Sequence, residues 1–152
     1  MDYGQKAGRH ERSAALKVAR HFQIPLKYVK CSGVRSKHKG FIQGRNAFLV
    51  LTALMEMRAP KGILALGVHA GTPYYDCGPN FIRGLQSIVD GYTNGTVQLS
   101  APFLRWKKND IWEFCHEVGV PLELTYSCER GSRQPCGACL SCRDLEALYA
   151  RS

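Results

Sequence analysis

The sequence predicts an α/β domain with a parallel sheet, because short strand-like segments alternate with longer segments of helical period. The run Ile63–Val68, ILALGV, is apolar throughout and predicts a strand that is buried on both faces. Thr96–Leu99 predicts a second strand. A chain of 152 residues is long enough to bury its own core, so we expect a single domain over residues 1–152.

The N-terminal part of the chain predicts one helix followed by one short strand. Over residues 8–22, apolar side chains recur at i, i+3, i+4 and i+7, which indicates an amphipathic helix. Pro25 ends this helical region, and Leu26–Lys30 then alternates in the manner of a strand. Residues 31–43 are rich in glycine, serine and lysine and predict a loop.

Four further helices are predicted from apolar periodicity. They lie at residues 45–58, 79–90 and 107–118, and from about Cys139 to Tyr149. Asn109 is a candidate N-cap for the helix at 107–118, and Gly119 is a candidate stop signal. In parallel sheets a ligand binds beyond the carboxyl ends of the strands, so we expect binding residues in the loops that follow them.

The composition bounds the kind of ligand and the compartment. The formal net charge is +9, which suits anionic ligands such as a nucleotide or nucleic acid, although the basic residues are scattered as on many protein surfaces. No apolar run approaches the ~20 residues of a membrane helix, and the N-terminus lacks the apolar core of a signal peptide. We therefore expect a cytoplasmic protein, in which seven cysteines do not form a full disulfide framework.

Four of the cysteines form a spaced set, Cys128-x7-Cys136-x2-Cys139-x2-Cys142. Two overlapping Cys-x2-Cys pairs and one more distant cysteine can supply four sulfurs in a tetrahedron, the donor set of a closed structural Zn²⁺ site. An iron–sulfur cluster also takes four cysteines and a redox dithiol uses two, so both alternatives stay open. We expect residues 124–152 to form a zinc-binding segment and C-terminal helix, after an α/β nucleotide-binding core over 1–123.

Several short motifs occur in a fixed order along nearly the whole chain. They are Asp2-Tyr3-Gly4-Gln5, Gly44-Arg45-Asn46, Tyr75-Asp76-Cys77 with Phe81, Gly119-Val120-Pro121-Leu122, Thr125-Tyr126-Ser127-Cys128, and Pro135-Cys136-Gly137 followed by Cys139 and Ser141-Cys142. With these motifs in this order, the chain resembles the 7-cyano-7-deazaguanine synthase family of the N-type ATP pyrophosphatase superfamily. The resemblance implies a Rossmann-like sheet of the adenine-nucleotide hydrolase type.

The resemblance also implies an activity and its ligands. The family's reaction is an ATP-dependent ligation that converts 7-carboxy-7-deazaguanine and ammonia to 7-cyano-7-deazaguanine, a precursor of queuosine. ATP is a substrate used with Mg²⁺, and one structural Zn²⁺ is held by the four matched cysteines. The family residues that match Asp2, Tyr3, Gly4 and Gln5 lie beside the nucleotide. Family members commonly form homo-oligomers, so we expect one here.

Three residues in these motifs are candidates for the catalytic site. Arg45 can bind a phosphate or carboxylate through two hydrogen bonds. Asn46 offers a cap or an amide contact near a helix start. Asp76 can accept hydrogen bonds from the N–H edge of a guanine-like base. A solvated surface arginine at position 45 and a turn residue at position 76 are the structural alternatives.

One family motif is absent from the sequence. The string Ser-Gly-Gly-x-Asp-Ser, a glycine-rich loop that binds phosphates through backbone amides at a helix N-terminus, does not occur. We therefore expect a chain that is truncated at its N-terminus relative to the family. It is then either a whole or partial enzyme, or a non-catalytic homologue that binds nucleic acid or an active partner subunit.

Overall fold

The computed structural model describes residues 1–33 and 42–150, and most of the loop predicted at 31–43 lies outside them. The chain divides into two compact units. One unit combines Met1–Ile42 with Cys115–Ser152, and the other spans Gln43–Phe114. The predicted single domain, with its division into residues 1–123 and 124–152, stays a prediction.

The unit over Gln43–Phe114 contains a parallel α/β arrangement. Its elements are α2 Arg45–Glu56, β1 Gly62–Ala65, a 3-10 turn Tyr75–Cys77, α3 Pro79–Thr93 and β2 Val97–Ser100. The two strands pair in parallel, with Gly62 opposite Val97 and Ala65 opposite Ser100. This pairing confirms the predicted α/β class with a parallel sheet.

The core of this unit lies where α2 and α3 pack on the strands. Its buried members are Val50, Phe81, Leu85, Val89 and Val97. The apolar spacing of α3 places three of these on one face, since Phe81, Leu85 and Val89 repeat every fourth residue. That repeat explains why the third helix was predictable, although it runs to Thr93 and so extends past residue 90.

The prediction of a strand buried on both faces at Ile63–Val68 was wrong in two respects. The strand covers Gly62–Ala65, and its side chains alternate between half-buried and exposed. Leu64 packs against the core, whereas Ile63 is 68% exposed. Among the described residues, helices cover one face of this two-stranded sheet. The apolar run therefore packs on one face, although its sequence would allow packing on both.

A glutamine side chain closes the outer edge of β2. On the inner edge, the carbonyls of Thr96 and Ser100 accept from the amides of Gly62 and Leu66. On the outer edge, Gln86 accepts from the Leu99 amide at 2.6 Å and donates to the Val97 carbonyl at 3.0 Å. Gln86 therefore makes the hydrogen bonds that a further strand would make with β2.

The unit over Met1–Ile42 and Cys115–Ser152 is built mainly of helices. It holds α1 Gly8–His21, a 3-10 turn Leu122–Leu124 and α5 Leu140–Tyr149, which confirms the predicted first and last helices to within about two residues. The strand predicted at Leu26–Lys30 is wrong as a strand, because only Lys30 pairs, in a parallel bridge with Asp2. The chain turns immediately after Asp2, where Gly4 has a φ of +87°, so the pairing cannot extend.

Helix α4, Lys108–Glu117, shows which sequence signals set its ends. Asn109 lies inside the helix and was wrong as the N-cap; instead the Lys107 amide donates to the Asp110 carboxylate at 2.8 Å. Gly119, at a φ of +68°, ends the helix as predicted. The amides of Gly119 and Val120 donate to the carbonyls of His116 and Cys115, the bond pattern of a Schellman motif.

In the described ranges, no helix is long and apolar enough to cross a membrane.

The role of Gln86 gives a first testable prediction. Gln86→Ala should lower the free energy of unfolding by about 1–3 kcal/mol, because it leaves the Val97 carbonyl and the Leu99 amide without their partner. Urea denaturation measures this change. The matched control is Ser87→Ala on the same helix, where an exposed hydroxyl bonds only to the Arg83 carbonyl one turn earlier. Equal stability of the two variants would contradict the assignment.

Candidate functional site

The four spaced cysteines converge on one point. Their sulfur atoms all lie within 4.8 Å of one another, and Cys136 Sγ lies 3.9 Å from Cys142 Sγ. Four sulfurs at ~2.3 Å from one metal ion in a tetrahedron are about 3.8 Å apart, so this cluster has the size of such a site. Cys128, Cys139 and Cys142 are buried. The cluster could therefore hold a metal ion with four protein ligands and no open position.

The loop that carries these cysteines is fixed by contacts on either side. Tyr126 packs on the cluster, donates its hydroxyl to the Ser132 carbonyl at 2.8 Å, and stacks on His10 of α1 with ring centroids 5.0 Å apart. The Ser141 hydroxyl, in the first turn of α5, donates to the Glu129 carboxylate at 2.7 Å. The loop is thereby tied to α5 and to α1 within the same unit.

Backbone amides prepare Cys128 to act as a thiolate. Burial opposes its ionisation, but the amides of Cys136, Arg130 and Ser132 point at its sulfur and together lower its pKa to about 5. A thiolate that accepts several backbone hydrogen bonds is the usual form of a metal-bound cysteine. The lowered pKa favours the thiolate form of Cys128, which is the form that binds a cation.

Cys139 and Cys142 show why the cluster needs a cation. Burial opposes ionisation of Cys139, but the amides of Glu129 and Cys142 lower its pKa. Burial and the neighbouring Cys139 raise the pKa of Cys142 to about 12. Four thiolates this close repel one another, and only a positive charge among them allows all four to ionise. The donor set therefore fits a divalent soft or borderline metal ion such as Zn²⁺.

The remaining cysteines are outside this cluster. Cys31, Cys77 and Cys115 are free and half-buried. Burial raises the pKa of Cys115, a half-buried thiol within helix α4. Cys77 follows Asp76 in the 3-10 turn of the other unit.

The stretch Asp2–Gln5 forms a hydrogen-bonded turn at the start of α1. The Gly4 amide donates to one Asp2 carboxylate oxygen at 2.9 Å, and the Tyr28 hydroxyl donates to the other at 2.5 Å. The bond from Tyr28, and to a smaller extent that from Gly4, holds the pKa of Asp2 below its usual value. The Tyr3 amide donates to the Gln5 side chain at 2.9 Å. The side chains of Asp2 and Gln5 thus order the turn, and nucleotide binding by this stretch stays a prediction.

The three candidate catalytic residues lie together in the unit over Gln43–Phe114. Asn46, 3% exposed, donates its amide nitrogen to the Asp76 carbonyl at 3.0 Å. Its amide oxygen accepts from Arg45 Nε at 3.3 Å. Asp76 is 9% exposed, and among the described residues no cationic side chain pairs with its carboxylate, which is unusual at this burial. Among the described residues, its carboxylate has a hydrogen-bond contact with the Cys77 thiol at 4.0 Å.

Sequence reasoning missed two residues that shape these sites. Tyr28 bonds to Asp2 across 26 positions, and no local pattern indicates a contact of that range. Glu129 links the cysteine loop to the start of α5. Its place next to Cys128 and the tendency of carboxylates to bind at helix N-termini were the available signals.

The chain matches the family model for "Queuosine biosynthesis protein QueC" over residues 32–151. The chain belongs to the QueC family. This membership confirms the resemblance seen in the motifs and connects the chain with queuosine biosynthesis.

Relatives named 7-cyano-7-deazaguanine synthase agree with this assignment. The one from Prochlorococcus marinus (strain AS9601) is 29% identical over 181 residues, covering 99% of this chain and 80% of the relative. That from strain MIT 9515 is 30% identical with the same coverage. A Synechococcus sp. (strain CC9605) relative is 36% identical over 116 residues, covering 70% of this chain and 51% of the relative. The first two alignments are longer than this chain, so those relatives carry additional residues within the matched region.

The approach of the cysteine loop to the turn before α1 gives a second prediction. Gly131 has a φ of +72°, and a Cβ at this position would lie within van der Waals overlap of the Lys6 carbonyl oxygen, at 2.3 Å. Gly131→Ala should therefore cost more than about 2 kcal/mol of folding free energy, from overpacking in addition to left-handed strain. Thermal denaturation and metal content per chain provide the measurements.

Gly137 is the matched control for this substitution. It has a similar φ of +65° in the same loop, but a Cβ there would meet no atom within 4 Å. Gly137→Ala should cost only the strain of the left-handed backbone, about 1–2 kcal/mol. If both alanine variants lose the same stability, the close approach to Lys6 is not what requires glycine at 131.

Proposed function

We propose that the chain carries out the reaction for which its relatives are named: ATP-dependent conversion of 7-carboxy-7-deazaguanine and ammonia to 7-cyano-7-deazaguanine. The observation that carries the proposal is the alignment of 99% of the chain with proteins of that name, together with the four-sulfur cluster.

The proposed chemistry proceeds by two activations of one carbon. ATP with Mg²⁺ activates the carboxylate of the deazapurine, and ammonia displaces the activating group to give an amide. A second ATP activates the amide oxygen. This oxygen then leaves with the activating group, the nitrogen loses its two protons, and the nitrile remains. The requirements on the protein are binding of anionic groups, orientation of the base and exclusion of water.

Arg45 and Asp76 have the contacts that these roles need. The Arg45 Nε bonds to Asn46, and among the described residues no hydrogen bond is made by its two terminal nitrogens, which leaves them for a carboxylate or phosphate. The Asp76 carboxylate is mostly buried and suits the N–H edge of a guanine-like base, where a hydrogen bond to a charged group is strong. Asp2, Tyr3, Gly4 and Gln5 are proposed to lie beside the nucleotide, with the backbone of their turn facing it.

Zinc is the proposed metal of the cysteine cluster. Cys128, Cys136, Cys139 and Cys142 would hold one ion per chain. When bound, Zn²⁺ supplies cross-linking and charge neutralisation in a closed site. The ion is structural, so the four cysteines are not expected to touch the substrate.

The catalytic proposal gives a third prediction. Arg45→Ala and Asp76→Asn should each lower kcat/KM for nitrile formation by about 100-fold or more, because each removes a charged contact to the substrate. Mass spectrometry of a reaction containing 7-carboxy-7-deazaguanine, MgATP and ammonium measures the product. Arg83→Ala is the matched control, since this exposed arginine on α3 bonds to its neighbour Asn80.

A different result would favour the alternative of a non-catalytic homologue. Four basic side chains on α1 are exposed, namely Arg9, Arg12, Lys17 and Arg20. A chain that binds no deazapurine or ATP, but binds RNA with an affinity that falls steeply with salt, would contradict the enzyme proposal and support binding of nucleic acid. Co-purification with a catalytically active QueC protein would support the partner-subunit alternative.

Metal removal gives a fourth prediction. The purified chain should contain one zinc per chain, and a strong chelator should lower its melting temperature, because metal binding and folding are coupled. Cys139→Ser should lose the zinc, whereas Cys115→Ser, the matched control outside the cluster, should retain it. Full thermal stability after complete zinc removal would contradict a structural role.

A further inference from the structure

Asn46 is one of two buried polar or charged residues in the described part of the chain, and the other is Asp76. The two are joined by a hydrogen bond across 30 positions, from the Asn46 amide nitrogen to the Asp76 carbonyl at 3.0 Å. A buried amide with its hydrogen bonds made is a strong constraint on geometry, because leaving it unpaired is costly. The contact therefore ties the first turn of α2 to the 3-10 turn before α3.

The turn that carries Asp76 depends on this contact. Its own backbone bonds use the carbonyls of Tyr74 and Tyr75, which accept from Cys77 and Gly78. The Asp76 carbonyl is held by Asn46 instead. A second anchor is the Tyr75 ring, which packs edge-on against Phe81 of α3 with centroids 5.8 Å apart.

Asn46 also orients its neighbour in the sequence. Its amide oxygen accepts from Arg45 Nε, which fixes one edge of the guanidinium; the other edge makes no hydrogen bond with a described residue and suits an anion. One side chain thus bonds to both groups that are proposed to bind the substrate. At 3% exposure, with nitrogen and oxygen both engaged in the described residues, Asn46 offers almost no surface to a ligand.

We propose that Asn46 is a positioning residue: it holds the Asp76 turn and the Arg45 guanidinium in their binding geometry and does not itself touch the substrate. The claim that Arg45 and Asp76 bind the substrate rests on the proposed function, whereas the contact between Asn46 and the turn does not. Loss of the amide nitrogen frees the turn, and loss of the amide oxygen frees the arginine.

Cys77 provides a probe of the turn that needs no substrate. Its sulfur lies 3.9 Å from the Asn46 amide nitrogen and is half-buried. Asn46→Asp keeps the shape of the side chain but sets a carboxylate oxygen against the Asp76 carbonyl, and Asn46→Ala removes the contact. In the full chain, Asn46→Ala should raise the rate of Cys77 alkylation by N-ethylmaleimide about tenfold, the effect of losing one buried hydrogen bond. Asn46→Asp should raise this rate less, because its carboxylate lies beside the Cys77 sulfur and disfavours the reactive thiolate.

Two controls make this labelling result specific. Thr52→Ala removes a hydrogen bond to the Phe48 carbonyl on the same helix and should leave the Cys77 rate unchanged. The rate at Cys115, followed by peptide mass spectrometry in the same samples, reports unfolding of the unit over Met1–Ile42 and Cys115–Ser152 and should not change in Asn46→Asp. If Cys77 reacts no faster in either Asn46 variant than in Thr52→Ala, the proposal is overturned.

Binding of 7-carboxy-7-deazaguanine separates positioning from mere packing. Titration calorimetry should show an affinity about tenfold weaker for Asn46→Asp than for the unaltered chain, with no change for Thr52→Ala. Faster Cys77 labelling with unchanged affinity would reduce Asn46 to a packing role and overturn the proposal. If the unaltered chain binds no deazapurine, the proposed function fails, and the labelling comparison still decides whether Asn46 holds the turn.

Discussion

The convergence of four sulfur atoms within 4.8 Å is the constraint on which the organisation of one unit depends. The amides that lower the pKa values of Cys128 and Cys139 come from the segment that carries the four cysteines. This segment must therefore be folded before the site can hold a charge. The same loop contacts α1 through Tyr126 and α5 through Glu129. The loop that a metal ion would stabilise therefore contacts a helix more than one hundred residues earlier in the chain, through Tyr126 and His10.

The parts of the fold that could be predicted from the sequence are those determined by local patterns. The four-residue spacing of Phe81, Leu85 and Val89 predicts α3, and the cysteine spacing predicts the cluster. Both patterns indicate which side chains lie on the same side of the backbone. Pairing partners are not local. The run at Ile63 fits a strand covered on both faces as well as one covered on a single face. Only the segments that pack against the strand in the folded structure decide between these two cases.

The candidate binding residues illustrate the same limit. Their motifs indicated Arg45, Asn46 and Asp76, but the sequence could not distinguish residues that meet a ligand from residues that hold others in place. That distinction depends on burial and on a contact between Asn46 and a turn 30 positions away. The separation of roles follows from the three-dimensional arrangement, in which a single amide serves two neighbours and is itself shielded from solvent.

Gln86 restricts how the sheet in its unit can grow. Because its amide occupies the outer groups of β2, another extended segment would have to join along β1, which has no second strand partner among the described residues. A helix side chain thus closes one border of this two-stranded sheet. Any assembly by strand addition, productive or aberrant, would have a fixed direction.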